Sequence, residues 1–252
     1  MKLNHRSFVF LSSACLALLV LAAVPLRAAD DNRSQPAQSS KTGELHYLAS
    51  GKPDATTLLT PPPLPDSAEQ TADMDEVRNV FHAATSNDLA AAYAEKKFSV
   101  FNFAPAVGAF FQSNNLPKTA AFFKKVQLDA ATVTDLGKDY FHRPRPYTTD
   151  PSLANGKLEK SFSYPSGHST ESMVLALVLA DLLPEKHDAI IVHARAIGWH
   201  RVQIARHYPT DIYAGRVFAQ AIVEQFKKSE SFEKDFTEAQ AEIEAVKAAG
   251  KN

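Results

Sequence analysis

The chain has 252 residues, of which 45% are hydrophobic, and its formal net charge at pH 7 is −1. This length is enough for one domain with a sizeable core. The charge balance lacks the basic excess of nucleic-acid-binding proteins, so we expect no nucleic-acid partner.

Residues 1–29 have the pattern of a secretory signal peptide. Lys2 and Arg6 give a positive start, an apolar stretch covers residues 8–24, and small residues near Ala28 suit cleavage. Because the apolar stretch approaches the length of a membrane span, a retained membrane anchor is the alternative interpretation.

The position of Cys15, the only cysteine, does not indicate a lipoprotein, because it falls inside the apolar stretch and not at its end. After cleavage the chain would contain no cysteine. It would carry a net charge of −4, since the removed segment has three basic residues and no acidic one. Export without disulfides suits a bacterial periplasm, where we predict the protein to be located.

Residues 30–66 are predicted to form a flexible leader. Residues 30–44 are polar and have no apolar period, and the prolines between Thr60 and Pro65 exclude a helix there. A helical pattern begins at Ser67, which has the spacing of a capping box with Gln70.

Helical patterns then continue over residues 67–84, 88–97, 98–114, 118–139, 170–183, 185–206 and 210–228. Prolines fall between most of these runs, where helices end, and Pro105 predicts a kink or a helix start inside one of them. We therefore predict an all-α fold, a single-domain helical bundle over residues 67–228 with the active site at helix ends. Residues 229–252 are predicted to be a charged tail that is helical or partly disordered.

Three clusters of polar residues lie at helix boundaries: KDYFHRPRPY at 138–147, PSGH at 165–168 and HRVQIARHYPTD at 200–211. In the first, Lys138, Arg143 and Arg145 are interleaved with aromatic residues, which indicate partial burial. A buried cation needs an anionic partner. That partner is either Asp139, in a structural ion pair, or an anionic ligand.

The second cluster, PSGH, comes directly before an apolar run that reads as a buried helix. The free N–H groups and the dipole of a helix N-terminus favour an anion, and glycine lets the backbone come close to it. In the alternative interpretation, Ser166 caps the helix, Gly167 turns the chain and His168 is incidental.

In the third cluster, His207 and Asp211 are four residues apart and can face each other across one turn. A carboxylate on one imidazole nitrogen fixes the tautomer and leaves the other nitrogen as a nucleophile. A salt-bridged surface pair is the alternative, but Pro209 between the two residues indicates a shaped corner.

The spacing of the histidines does not favour a metal site. His193, His200 and His207 are spaced by seven residues, so on one continuous helix neighbours would be about 10.5 Å apart. Zinc ligands lie only about 2.0–2.1 Å from the ion. We therefore predict no metal and no cofactor.

Together the three clusters resemble the three-part signature of the type 2 phosphatidic-acid-phosphatase superfamily, which also contains the vanadium haloperoxidases. The exported single domain and RPRPY are most similar to the soluble bacterial class A acid phosphatases of that superfamily. The resemblance covers residues 138–211. It implies hydrolysis of small phosphomonoesters, with inorganic phosphate as product, through a phosphohistidine and without a metal ion.

The resemblance also implies how phosphate is held. Lys138, Arg145 and Arg201 would bind its oxygens, and Ser166 with the backbone N–H of Gly167 would complete the cradle. Preorganised positive charge of this kind stabilises a transferring phosphoryl group.

Three further residues would carry the chemistry. His207 would attack phosphorus, Asp211 would hold its tautomer, and His168 would protonate the leaving alkoxide and then activate water. The chain departs from the family at His200, where the family usually has serine before Arg201. On a continuous helix, His200 would share a stripe with His207 but lie too far back to touch the same phosphate, so we expect a packing or supporting role.

Three alternatives come from the same residues. A vanadate-dependent haloperoxidase would use nearly the same set, and a non-catalytic periplasmic phosphate-binding protein would keep the cradle without turnover. A membrane lipid phosphatase needs several spans, but no segment after residue 29 offers about 18–20 uninterrupted apolar residues. The preferred ester, the pH optimum and a homo-oligomeric state are left open.

Overall fold

The computed structural model of the protein describes residues 44–250, and within them all regular elements are helical. The α-helices are α1 (Ala55–Leu58), α2 (Ala68–Ala83), α3 (Ser86–Ala94), α4 (Ala104–Val107), α5 (Pro117–Phe141), α6 (Pro146–Thr149), α7 (Gly167–Leu182), α8 (His187–Gln203), α9 (Pro209–Phe226) and α10 (Glu230–Ala248). Short 3-10 helices cover Val100–Phe103, Pro151–Leu153 and Pro184–Lys186. The prediction of a single all-α domain is confirmed.

Helix α7 lies at the centre of the bundle. Its sequence from Met173 to Ala180 is apolar on every side, and Val174, Leu175 and Leu179 are fully buried. Such a helix has to be surrounded by other helices. Helices α5, α8 and α9 pack against it and provide most of that cover.

The ends of these helices meet at one place. The backbone N–H of Ser166, just before α7, donates to the carbonyl of Asp211 near the start of α9, at 3.1 Å. The N–H of Ser163 donates to the carbonyl of Arg143, just after α5, at 2.9 Å. The first and third clusters are thereby brought to the N-terminal end of α7.

Gly215 allows α9 to approach the start of α7 closely. A Cβ added at Gly215 would lie 3.0 Å from the carbonyl oxygen of Ser166 and 3.0 Å from the side chains of Ser169 and Thr170. The absence of a side chain at this position therefore sets the distance between the two helices beside the candidate site.

Helix α8 ends earlier than the sequence pattern predicts. The predicted run over 185–206 is in fact a 3-10 turn followed by α8, which stops at Gln203. Ala205 has a left-handed φ of 50°, and its N–H donates to Val202 while that of Arg206 donates to Arg201, both at 2.8 Å. These two bonds form a Schellman motif. His200 and His207 are consequently not on one helix, and the expectation that they share a stripe is wrong.

The run predicted over 98–114 is not one helix either. It contains the 3-10 helix Val100–Phe103 and the four-residue α4, with Pro105 in the first turn of α4. The chain leaves α4 at Gly108, whose φ of 140° is favoured by glycine.

Part of the predicted leader packs on the domain. Tyr47 and Leu48 are buried, and the N–H groups of residues 46–48 donate to the carboxylate of Asp129 on α5 at 2.8–3.1 Å. This segment is therefore held by α5, although residues 30–66 as a whole were expected to be flexible. Within residues 44–250, packing against the domain therefore begins before Ser67, the predicted start of the domain.

The predicted tail contains α10, which packs against α5 through the buried side chains of Phe232, Ala239 and Ile243. The ring of Phe232 stacks on that of Phe226, with centroids 5.3 Å apart. This helix thus extends the core past residue 228.

The predicted signal peptide lies outside the described residues. Within residues 44–250, none of the helices combines the length and the apolar character that a membrane-spanning segment requires.

Candidate active site

The nucleophile candidate, His207, lies in the short loop between α8 and α9 and is almost fully buried. Its Nδ1 is 3.3 Å from Oδ2 of Asp211, and its Nε2 is 3.2 Å from Nη1 of Arg145. A carboxylate can only accept, so we assign the hydrogen to Nδ1. The lone pair of Nε2 then faces the guanidinium, where an anion would bind. Burial first, and then the charge of Arg145, lower the pKa of His207 to about 4.

Asp211 is held as a charged carboxylate in the first turn of α9. Its Oδ2 accepts from the hydroxyl of Ser163 at 2.5 Å and from the N–H of Tyr208 at 2.9 Å. Burial alone would raise its pKa, but the Arg143 charge and the hydrogen bond with His207 outweigh burial and lower the pKa to about 2. Asp211 can therefore orient His207 and stay ionised at acid pH.

Arg143 supports Asp211 and does not face a ligand. Its Nη1 donates to Oδ1 of Asp211 at 2.5 Å, and its Nη2 donates to Asp73 on α2 at 2.6 Å. The guanidinium also lies over the Tyr208 ring, 3.9 Å from the centroid. The alternative that Asp139 neutralises this cluster is wrong, because Asp139 is exposed and Arg143 pairs elsewhere.

The two candidate phosphate-binding arginines are brought together. Arg145 and Arg201 are each 3% exposed, and both bind the carboxylate of Glu159, one oxygen each, at 2.7 Å. The Nε of Arg201 has no hydrogen-bond partner among the described residues. Burial raises the pKa of Glu159, but the charges of Arg145, His207 and Arg201 outweigh this and lower it to about 2. One anion, in this case a carboxylate, thus already spans the two guanidinium groups.

Lys138 reaches the N-terminus of α7 because Gly167 has no side chain. A Cβ added at Gly167 would lie 3.2 Å from Nζ of Lys138. In the structure this ammonium group binds Asp135 at 2.7 Å, and the Lys138 side chain is only 11% exposed. Gly167 therefore makes room for a cation at the helix end.

Ser166 is the N-cap of α7. Its side-chain oxygen accepts from the N–H of Ser169 at 3.3 Å. The predicted cap at Ser166 is therefore present, whereas Gly167 is the first residue of the helix and not a turn. The cap is compatible with the binding interpretation, since the hydroxyl hydrogen of Ser166 stays available to an anion.

His168 lies in the first turn of α7. Its Nε2 is 3.2 Å from the backbone carbonyl of Glu95, and its ring lies 5.4 Å from that of Phe98. Burial first, and then the charges of Arg201 and His207, lower its pKa to about 3. His168 is consequently neutral at ordinary pH unless an anion arrives beside it.

His200 has a defined partner. Its Nδ1 is 2.7 Å from a carboxylate oxygen of Glu95, the residue whose backbone carbonyl contacts His168. Nothing in the sequence pointed to Glu95 or to Glu159, because each contacts its partners only in the folded chain. Within residues 44–250, no group of three or more side chains is arranged to hold a metal ion.

Comparison with known proteins now places this arrangement in a family. The sequence model of the PAP2 superfamily matches residues 126–227, from the middle of α5 to just after α9. The chain contains a PAP2 superfamily domain. All eight residues predicted to bind or react lie inside that match.

Several relatives are similar over most of their length. A non-specific acid phosphatase from Providencia stuartii is 28% identical, with 95% of this chain and 97% of the relative covered. A non-specific acid phosphatase from Salmonella typhimurium is 28% identical, with 81% and 86% covered. An acid phosphatase from Zymomonas mobilis is 26% identical, with 77% of each chain covered.

The PAP2 domain of this chain therefore presents two buried arginines, a lysine at a helix N-terminus and two histidines in one place. Burial and the neighbouring positive charges both favour neutral histidines. The unprotonated Nε2 of His207 therefore lies beside Arg145, which shares the carboxylate of Glu159 with Arg201.

Proposed function

We propose that this chain is an acid phosphatase that hydrolyses small phosphomonoesters in the periplasm, through a phosphohistidine and without a metal ion. One observation carries the proposal: Glu159 joins Arg145 and Arg201 through its two carboxylate oxygens, beside Nε2 of His207. Two oxygens of a phosphate group can take the same two guanidinium groups. The names of the relatives support the phosphatase class, and the signal-like pattern of residues 1–29 supports export.

In the first half-reaction, Nε2 of His207 attacks phosphorus, and the bond from phosphorus to the ester oxygen breaks as the N–P bond forms. Arg145, Arg201 and Lys138 stabilise the charge on the phosphoryl oxygens. The leaving alkoxide takes a proton from His168. The pKa of about 3 of His168 applies to the protein without phosphate, and a bound phosphate dianion raises it because opposite charge favours the imidazolium.

In the second half-reaction, water attacks the phosphohistidine and gives its proton to His168. The N–P bond breaks, inorganic phosphate leaves and His207 returns to its neutral form. Asp211 keeps the hydrogen of His207 on Nδ1 throughout, so Nε2 is free for the next attack.

The decisive experiment is to trap the intermediate. Brief mixing with a radiolabelled phosphomonoester, followed by denaturing gel electrophoresis, should show label on the protein that is stable to base and lost in acid. His207→Ala should form none and should lose at least about a thousandfold in kcat/KM, because the covalent route disappears. A non-catalytic phosphate-binding protein would bind phosphate and never carry the label.

Three further assays test the metal independence, the mechanism and the haloperoxidase alternative. Activity should be undiminished after exhaustive EDTA treatment, and loss that returns with a divalent cation would contradict the mechanism.

Vanadate should inhibit competitively and more tightly than inorganic phosphate, because its trigonal-bipyramidal form resembles phosphorus under attack. Bromide oxidation by hydrogen peroxide with added vanadate would instead indicate a haloperoxidase.

A further inference from the structure

We propose that Glu95 and His200 form a positioning pair that holds His168 for proton transfer, an inference that rests on the proposed function. Two contacts connect His200 to His168 through Glu95. Nδ1 of His200 on α8 binds the carboxylate of Glu95 at 2.7 Å, and the carbonyl of Glu95, at the end of α3, lies 3.2 Å from Nε2 of His168. His200, which departs from the family pattern, thus acts through Glu95, the residue directly after α3.

The carbonyl of Glu95 determines which nitrogen of His168 can carry the catalytic proton. A carbonyl oxygen only accepts, so the hydrogen of neutral His168 is on Nε2. Nδ1 is then the nitrogen that gains a proton and gives it to the leaving group. A shift of this carbonyl would release the ring and allow the other tautomer, whose Nδ1 already carries the hydrogen and therefore cannot take up the proton that is to be transferred.

The carbonyl stays in place because His200 holds the Glu95 side chain. Helix α3 has only nine residues, and Ala92 is its one buried residue, so its own packing does little to fix its end. The side chains of Glu95 and His200 are 12% and 19% exposed, so their hydrogen bond is largely shielded from solvent. Asp88 on α3 and His193 on α8 are the other titratable groups near this pair.

If the pair positions His168, the loss of activity on removing the pair should depend on the leaving group of the substrate. An alkyl phosphate leaves as a strongly basic alkoxide and needs the acid, whereas p-nitrophenolate leaves without it. We expect His200→Ser and Glu95→Ala to lower kcat/KM for an alkyl phosphate by about five- to tenfold, a part of the full effect of a general acid. Their kcat/KM for p-nitrophenyl phosphate, which reports only the steps up to the phosphohistidine, should change by less than about twofold. Glu95→Gln, which keeps an acceptor for His200, should recover most of the loss.

Thr85→Ala is the matched control, because it removes the side-chain cap at the start of α3 and leaves the Glu95 and His200 contact in place. It should not change the ratio of the two kcat/KM values. Equal loss on both substrates, or the same ratio change in Thr85→Ala, would show that the pair serves stability alone.

A second readout does not depend on turnover. Nitrogen NMR of isotopically labelled histidine should show His168 with its hydrogen on Nε2 in the unaltered protein and a mixture of tautomers in His200→Ser. An unchanged tautomer in the variant would overturn the positioning role. If the unaltered protein hydrolysed neither ester, the proposed function would be wrong, and the NMR result would still decide whether the pair orients His168.

Discussion

Glu159 occupies the position between the two arginines where the proposed function places phosphate. It lies in the loop before α7 and is 33% exposed, so it has a route to solvent. Burial raises the pKa of Glu159, but the charges of Arg145, His207 and Arg201 outweigh burial and lower it to about 2. Glu159 therefore stays ionised at acid pH. Substrate therefore has to displace a charged carboxylate and not a neutral acid.

We expect Glu159→Gln to bind inorganic phosphate about tenfold more tightly, a change of roughly 1.4 kcal/mol, because the competing internal anion is gone. The KM for a phosphomonoester should fall in parallel, with kcat nearly unchanged. Isothermal titration with phosphate and steady-state kinetics at one pH would measure both. Glu185→Gln removes a carboxylate from an exposed pair with Lys247 and is the control. Weaker phosphate binding in Glu159→Gln would mean that Glu159 holds the arginines in place and does not compete.

At the residue scale, the sequence predicted the contact of His207 with Asp211 but not the other contacts of the candidate site. Spacing and residue type were enough to predict the contact between His207 and Asp211, which are four residues apart and do meet. The partner of His200 is 105 residues away in the chain, so no local pattern could identify Glu95. The same holds for Arg143, whose pairing with Asp73 depends on how α2 packs.

At the scale of elements, proline and apolar runs located the helices better than they located the helix ends. Pro117 and Pro209 stand in the first turns of α5 and α9, as a helix start favours. The end of α8 was missed because Ala205, not glycine, adopts the left-handed conformation of the Schellman motif. Without glycine at this position, no residue type marks the stop, and the predicted run therefore continues to residue 206, three residues past the end of α8.

The contact between Asp129 and residues 46–48 gives a test of where the domain begins. Asp129→Ala should lower the free energy of unfolding by about 3 kcal/mol, because three backbone N–H groups lose a buried charged acceptor. Activity per folded molecule should persist, since Asp129 lies nine residues before Lys138 on α5, about 13 Å along the helix. Denaturant unfolding and kinetics on the same samples would measure both.

Asp181→Ala is the control for this change. Asp181 binds Lys227 in an exposed pair, which should contribute less than about 1 kcal/mol. If Asp129→Ala were as mild as Asp181→Ala, the segment before α1 would be an appendage of the domain and not part of its fold.

At the scale of the whole molecule, the candidate site makes stability depend on pH. Burial and nearby cations lower the pKa of His168 to about 3 and of His207 to about 4, and burial lowers that of His193 as well. Burial also raises the pKa of Glu171 to about 7, although its hydrogen bond from Gln127 acts in the opposite direction. The histidines and Glu171 therefore affect stability with opposite signs.

We predict that the free energy of unfolding falls as the pH is lowered from about 6.5 to about 4.5. In this window unfolded histidines take up protons while His168 and His207 in the folded protein do not, so acid favours the unfolded state. Glu171 is protonated only in the folded state there, which offsets about one of the two protons, so the slope steepens as the pH falls and reaches roughly 1.4 kcal/mol per pH unit at about pH 5. Denaturant titrations at several pH values would measure the slope. Glu171→Gln, which cannot titrate, should steepen it, and His207→Gln should flatten it. A slope of the opposite sign would mean that these histidines are protonated in the folded protein, and with it the proposal of a neutral His207 as nucleophile would fail.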